Sequence, residues 1–344
     1  MLSEVVELID SKHRFAITSH VRPDGDSVGS SLALMLMLQE LNKDVVVVMR
    51  DHIPRAYQAL PGARHVQRIN RFERPHQYDA VFVIECSDID RPGLPGLSEQ
   101  FVVNIDHHTT TIRFGDINWI DSTASAVGEM IYNLCKATGA RVTAEIAECI
   151  YAALLTDTGS FHFPNTTART LKVASELIRL GANPARISRA IYYSQPFSKL
   201  KLMGLALSSL QRDQTGRIAY LAVTQQMLAL AQATEEDADG LANYPLAVAD
   251  IDVVLFLKEI RPNVYRASLR SKDAINVAKI AEYFGGGGHR NAAGCTVEGQ
   301  LEEIQRHMVE KLQEALMSPS ALHHRSLRPL EEERPIDAQR IDRG

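Results

Sequence analysis

Apolar positions in the first half of the chain follow two rhythms. Uninterrupted runs rich in Val, Ile and Phe occur at 15–18, 45–49, 81–84 and 102–105. Runs of this length and composition predict strands buried on both faces, as a parallel sheet requires. Between and after them the spacing is helical, which predicts helices at about 27–41, 126–138, 144–155 and 168–180. Gly181-Ala-Asn-Pro184 reads as a helix stop, with Gly just past the end and Pro beyond it. The pattern loosens around Ser194-Gln-Pro196, and a helical stretch follows at 198–211. Further strands are predicted at 218–223, 253–257 and 264–269, the last two joined by a turn at Arg261-Pro262-Asn263. Helices at 277–284 and 301–316 complete the pattern. From Ser318 onward Arg, Glu, Pro and His dominate without apolar periodicity, and the segment is predicted to be disordered. No internal repeat is visible. The fold class is therefore α/β: an N-terminal parallel-sheet domain (1–190), a helical linker (191–213), a second, smaller α/β C-terminal domain (214–318) and a tail (319–344).

Composition changes this picture little. A length of 344 residues suits two domains, each burying its own core, and 45% apolar with 23% charged residues is ordinary for a globular protein. No apolar stretch reaches the roughly 18–20 residues needed to cross a bilayer, and no membrane role is expected. The N-terminal segment is acidic where a secretory signal would be basic. Cys86, Cys135, Cys149 and Cys295 are scattered, without a Cys-x-x-Cys pair, so reduced buried thiols in a cytoplasmic protein are expected. A net charge of −5 argues against a long duplex nucleic acid as partner, because such proteins neutralise many phosphates with a basic stripe. A short phosphorylated substrate fits better.

The candidate chemistry sits at the strand ends. His20, Asp24 and Asp26 follow the first predicted strand, Glu85 the strand at 81–84, and Asp106-His107-His108 the strand at 102–105. Asp157 follows Leu154-Leu155-Thr156 at the end of a helix. In open α/β sheets ligands bind beyond the carboxyl ends of the strands, so four sequence-distant segments are expected to converge. Asp24 and Asp26 flank Gly25; in an extended loop they would point the same way, each toward a different metal. Taken singly, Asp-Gly-Asp is usually a turn and His-His a surface pair. Their joint occurrence at strand ends is what points to metal. Two divalent ions roughly 3.5–4 Å apart can clamp the attacking and leaving oxygens of a phosphoester displacement. Oxygen and imidazole donors without thiolate suit Mn²⁺, or else Mg²⁺, better than structural Zn²⁺.

In the second domain Gly285 to Gly288 precede His289 and Asn291-Ala-Ala-Gly294. A glycine run lets backbone N–H groups approach a phosphate and adopt positive φ, though it is also the composition of a linker. Arg266, Ser268 and Arg270 alternate and so share one strand face, which would present two guanidiniums to a phosphate. A solvated face is the plain alternative.

These segments resemble the DHH phosphoesterase superfamily, named for the Asp-His-His found here at 106–108. The resemblance runs from His20-Val-Arg-Pro-Asp24-Gly-Asp26-Ser27 to Gly285-Gly-Gly-Gly288-His289-Arg-Asn-Ala-Ala-Gly294, similar to the signature of the DHH-associated C-terminal domain. Length and layout look most like the bifunctional oligoribonuclease and pAp phosphatase group, the nanoRNases; RecJ-like exonucleases are usually longer. The resemblance implies that His20 and Asp24 bind one metal, that Asp26, His107 and Asp157 bind the other, and that position 85 bridges them. His108 would then sit near the substrate phosphate and Asp106 would orient the site. It also implies that the second domain holds the substrate's terminal nucleotide or phosphate while the first domain cuts, and Arg266, Arg270, Gly286, Gly287, Gly288 and His289 are the candidate groups. Short RNA, a dinucleotide or pAp is the implied partner, and a homodimer is allowed for. The bridging position is usually Asp in this family; here it is Glu85, one methylene longer. A cyclic- or linear-dinucleotide phosphodiesterase is the nearest alternative. A family II-type pyrophosphatase and a non-catalytic nucleotide-binding regulator rank lower.

Overall fold

A computed structural model describes residues 1–272 and 275–317; the predicted disordered tail lies outside the described residues. The chain divides into two compact units, Met1–Ser194 and a second beginning at Gln195.

The first unit is built on six strands: β1 (Arg14–Ser19), β2 (Asp44–Met49), β3 (Gln67–Arg68), β4 (Ala80–Ile84), β5 (Val102–Asp106) and β6 (Ile117–Ile120). All pair in parallel, in the order β3-β2-β1-β4-β5-β6. The order reverses at β1, which lies between β2 and β4, and this is where an open α/β sheet forms its ligand crevice. The helices are α1 (Leu2–Ser11), α2 (Gly25–Glu40), α3 (Val127–Thr138), α4 (Ala144–Asp157), α5 (Ala168–Arg179) and α6 (Pro184–Tyr192). One sheet face packs its Phe15, Ile17, Phe82 and Ile84 against α2, α3 and α4. The other packs Ala16, Val81 and Val83 against Phe72, Leu94 and Leu97 of the loops. Burial on both faces explains the uninterrupted apolar runs.

Helix α2 is buried nearly all round from Gly25 to Leu38, as expected of a helix surrounded by a sheet and other helices. It touches α4 closely: a Cβ on Gly29 would lie 2.6 Å from the Cys149 carbonyl oxygen, and one on Gly25 would lie 2.4 Å from Thr156 Oγ1. Gly25 thus serves helix contact rather than a bend. Asp24 and Asp26 do not lie in an extended loop. Asp24 is the N-cap of α2, accepting a hydrogen bond from Ser27 N at 3.0 Å while its own N–H donates to Ser27 Oγ at 2.9 Å, and Asp26 stands in the first helical turn. The helical phase, not an alternating pleat, sends the two carboxylates apart. Asn183-Pro184, read as a stop, also starts α6: the Asn183 side chain caps Arg186 N and Pro184 takes the first helical position, where its missing N–H costs nothing.

The second unit holds α7 (Phe197–Ser208), β7 (Gln211–Arg212), β8 (Ile218–Val223), α8 (Gln225–Ala231), α9 (Asn243–Leu246), β9 (Val253–Arg261), β10 (Val264–Ser271), α10 (Val277–Tyr283), β11 (Gly287–His289), β12 (Ala292–Glu298) and α11 (Leu301–Leu316). Its sheet is mixed, in the order β11-β12-β10-β9-β8-β7, with β8 and β9 parallel and the other pairs antiparallel. Leu202 and Ala206 of α7 pack with Leu221, Val254 and Phe256 of this sheet, so the expected linker helix is part of a core. Helix α11 covers the other face through Ile304, Met308 and Leu312.

Replacing Gly29 by Ala should destabilise the protein. Overpacking against a backbone carbonyl costs about 1–3 kcal/mol, and the better helix propensity of Ala returns only about 1 kcal/mol. A net fall of up to about 2 kcal/mol in urea unfolding free energy is expected; raised stability would contradict the tight α2–α4 contact.

Candidate metal centre

The ends of β1, β4 and β5 and the termini of α2 and α4 bring all eight residues expected in the first unit to one place. His20 follows β1, and its Nε2 lies 3.7 Å from Asp24 Oδ2 and 3.5 Å from Glu85 Oε2. His107 follows β5, with Nε2 3.5 Å from Asp157 Oδ2 and 3.9 Å from Asp26 Oδ2. Two donor sets result, His20–Asp24–Glu85 and Asp26–His107–Asp157, each with its ligand atoms within 4.8 Å of one another. A third grouping, Glu85–His107–His108, connects them.

Each histidine is held by its other nitrogen. His20 Nδ1 is 2.9 Å from the Val21 carbonyl and His107 Nδ1 is 3.1 Å from the Ala124 carbonyl. A carbonyl can only accept, so both rings carry hydrogen on Nδ1 and turn a lone pair at Nε2 toward the carboxylates. This is the usual way a protein fixes the tautomer of a ligand histidine. Asp26 is fixed as firmly: Oδ1 accepts from Ser30 Oγ at 2.7 Å and Gly128 N at 3.0 Å, and Oδ2 from Val127 N at 2.7 Å. Asp106, fully buried, accepts from His108 Nδ1 at 2.8 Å, from His107 N at 2.8 Å and from the Thr111 hydroxyl. Burial works to raise the Asp106 pKa, but the His108 and Thr111 hydrogen bonds outweigh it and hold the group below its usual range. The same bond to Asp106 raises the pKa of His108. His108 is therefore a cation-prone imidazole at the edge of the cluster.

The cluster is under electrostatic load. Burial raises the pKa of Glu85 well above the ordinary value, and the charges of Asp24, Asp26 and Asp157 add to it. Burial raises Asp157 to about 7, with Asp26 contributing and His107 opposing. Glu85 Oε2 and His107 Nε2 are buried and take no hydrogen bond within the protein. Buried polar atoms are nearly always satisfied, and a dry carboxylate beside three others is costly. Divalent cations between the two donor sets would satisfy both atoms and offset the repulsion, so these residues fit such ions.

The backbone is strained at the same place. Glu85 has φ +58°, and Gly159, Ser160 and Phe161, just after Asp157, have φ +56°, +63° and +66°. Left-handed non-glycine residues cost of order 1–3 kcal/mol each and persist where their surroundings over-determine them. Here Glu85 N donates to the Ile105 carbonyl at 3.0 Å and Ser160 N to the Leu155 carbonyl at 2.7 Å, and the Phe161 ring packs edge-on against Tyr151. The left-handed turn returns the chain so that Asn165 Nδ2 donates to the Asp157 and Ser125 carbonyls at 3.1 and 3.0 Å.

Three neighbours escaped the sequence reading. Asn165 ties Asp157 in place. Arg91 lies close enough to lower the pKa of His108 against its rise. The Tyr57 hydroxyl is pushed up by burial and then by the charges of Asp24, Tyr192 and Glu85, so it faces the cluster. Only the fold could have found them, because each sits in a loop without a motif. Asp88, three residues beyond Glu85, is a turn residue whose Oδ1 accepts from Asp90 N and Arg91 N.

The residues expected in the second unit lie on its sheet. Arg266, Ser268 and Arg270 share the more exposed face of β10. The glycine run is not a linker: Gly287 and Gly288 form β11, and a Cβ on Gly286 would come within 2.2 Å of the Gly294 carbonyl oxygen. Arg270 and His289 are both in register with Ala292, on opposite sides of β12. Arg266 pairs with Thr296, beyond the end of the glycine strand.

A parallel sheet with a two-set carboxylate–histidine centre at its switch point, in a chain that also carries a second mixed-sheet unit, defines a metal-dependent phosphoesterase. Family models agree: the DHH family N-terminal domain matches residues 14–154 and the DHHA1 domain matches residues 218–316. The chain belongs to the DHH family of phosphoesterases. It is 33% identical to the bifunctional oligoribonuclease and PAP phosphatase NrnA of Thermus thermophilus, over 92% of this chain and 94% of that one. It is 29% identical to the protein of the same name from Bacillus subtilis, over 86% and 93%. Among solved structures, an exopolyphosphatase-related protein from Bacteroides fragilis superposes with a TM-score of 0.85 at 27% identity, covering 93% of this chain and 96% of that one. Among the described residues no helix is long and apolar enough to cross a membrane.

Metal binding should displace protons. A carboxyl with its pKa raised to about 7 holds a proton below that pH, and a cation must expel it. Apparent Mn²⁺ affinity should therefore fall as pH drops, by about tenfold per unit below about 7 for each proton released. Titration calorimetry in buffers of different ionisation enthalpy checks this; an affinity independent of pH would contradict it.

Proposed function

We propose that this enzyme hydrolyses short oligoribonucleotides to mononucleotides and removes the 3′-phosphate of pAp, using two divalent ions, with Mn²⁺ ahead of Mg²⁺. The observation that carries the reading is the meeting of six ligand-type side chains around the two partnerless buried atoms, Glu85 Oε2 and His107 Nε2. The names of the relatives at 33% and 29% identity supply the substrate class. In this reading His20 and Asp24 hold one ion, Asp26, His107 and Asp157 hold the other, and Glu85 spans both. Bound there, divalent cations would activate water and neutralise charge on the phosphoryl oxygens.

The chain's own groups do the rest. His108, whose pKa the bond to Asp106 raises, offers a donor to a phosphoryl oxygen as negative charge grows on it. Asp106 does not touch the substrate; it orients His108 and the His107 backbone. In the second unit Arg270 and His289, in register about Ala292, the close-packed Gly286 and Gly288 and the open Gly287 between them are the groups we assign to the substrate's terminal nucleotide. Arg266 is the weaker candidate because it lies past the glycine strand. Four free, buried cysteines suit a cytoplasmic setting.

The test is hydrolysis of RNAs of two to five nucleotides, of pAp and of a long single strand, with Mn²⁺ and then with chelator. Cutting of the short RNAs and of pAp, abolished by chelator, is expected. Activity confined to a cyclic or linear dinucleotide would replace this reading with the dinucleotide-phosphodiesterase one. His107→Ala should reduce turnover below detection, and Asp106→Ala should reduce it about 10–100-fold or more through its hold on neighbouring groups. Circular dichroism should stay that of the parent in both; full activity in either variant would sink the assignment.

A further inference from the structure

The connection from β2 to β4 carries charge unlike the rest of the chain. Between residues 50 and 76 stand six arginines (50, 55, 64, 68, 71 and 74) and three histidines against two acids, Asp51 and Glu73. The segment is thus net positive by four in a chain of net charge −5. All of these arginines except Arg50 are exposed. Part of the segment encloses a cleft of about 300 Å³ lined by His52, Arg64, Arg68, Gln58 and Asp51, with Ile53 as part of its apolar floor. Arg68 Nη1 is 2.6 Å from His52 Nε2, so the guanidinium donates to a neutral ring. Among the described residues neither Arg64 nor Arg68 forms an ion pair with a carboxylate. The one acid in the cleft, Asp51, is engaged by the Arg22 backbone N–H at 2.7 Å.

That last contact also locates the cleft. Arg22 lies in the loop between His20 and Asp24, so the cleft adjoins the metal centre across one hydrogen bond. Tyr57 lies near enough to feel the charges of Asp24 and Glu85, and its neighbour Gln58 lines the cleft. A single stretch of chain therefore runs from the reacting centre to a site with two guanidiniums that no carboxylate neutralises. Guanidinium forks match phosphate oxygens bidentately, and the volume with its apolar floor exceeds what a free phosphate needs, leaving space for an attached sugar.

We propose that this cleft is a second phosphate site, binding a backbone phosphate of single-stranded RNA away from the phosphate being cut. The proposal rests on the oligoribonucleotide reading given above. It explains how an acidic protein can attract a polyanion: the positive field is confined to the flank of the centre. Such a site would favour substrates long enough to reach it.

The test reads binding without turnover. A five-nucleotide RNA labelled with fluorescein is titrated with the full chain in EDTA and followed by anisotropy. The double variant Arg64→Gln/Arg68→Gln should bind about tenfold or more weakly, since charge-assisted hydrogen bonds are lost. Its salt dependence should flatten by about 0.7 in logarithmic slope, the value for one phosphate neutralised on a single strand. A control, Arg141→Gln/Arg179→Gln, removes the same charge from exposed helical and loop positions elsewhere in the first unit and should bind as the parent does. Affinity within twofold of the parent for the cleft variant, or an equal loss in the control, would overturn the proposal. Because no cleavage is needed, this outcome is separate from whether the RNA is cut.

Discussion

Four carboxylates gathered beneath one surface are the constraint on which the first unit depends. Asp24, Asp26, Glu85 and Asp157 repel one another, and burial raises the cost, as the raised pKa values of Glu85 and Asp157 record. A fold can hold such a group only if each member is fastened separately and positive charge is supplied. Here the fastening is visible: Asp26 by the backbone at the start of α3, Asp24 by its capping box, Asp157 by Asn165, and both histidines by backbone carbonyls. The positive charge is left to cations and to His108.

The same demand accounts for features that are costly in isolation. Gly25 and Gly29 let α2 and α4 approach until a Cβ would collide, which brings Asp26 and Asp157 toward one histidine. Glu85 takes a left-handed backbone, a conformation Asp and Asn tolerate better than Glu. The longer side chain thus stands on a strained residue, and its Oε2 still reaches His20. The left-handed turn at 159–161 likewise converts the end of α4 into a return path for Asn165. Among the described residues Arg22, Glu85, Ser160 and Phe161 take left-handed backbone within a few residues of the reacting centre, where the packed sheet and helices can sustain the strain, while Asn42, His76, Gln232 and Asn263 do so elsewhere.

Charge is distributed with the same economy. The chain is acidic as a whole, yet its arginines crowd into the connection at the β3 edge and onto one face of β10. Positive groups are thus localised within a chain whose net charge is negative.

The apolar runs at 15–18, 45–49, 81–84 and 102–105 determined a parallel sheet, because only strands buried on both faces tolerate such sequences, and the acids and histidines that follow them determined the centre. The family resemblance then divided those ligands between two ions. Other elements were silent in the sequence for identifiable reasons. Ile117–Ile120 is only partly buried, Gln67–Arg68 is a two-residue edge, and Ala292–Glu298 was masked by its small residues. Pro184 was read as an end because a proline marks either terminus until the neighbouring cap is seen. Tertiary structure alone decided that Asp24 and Asp26 diverge on a helix, that Gly25 is a contact point, that Asn165, Arg91 and Tyr57 attend the site, and that Arg64 and Arg68 share a cleft. These are matters of which distant segments meet. A local pattern encodes the periodicity of burial, but not the position of a loop residue that the closing of the sheet carries to its place.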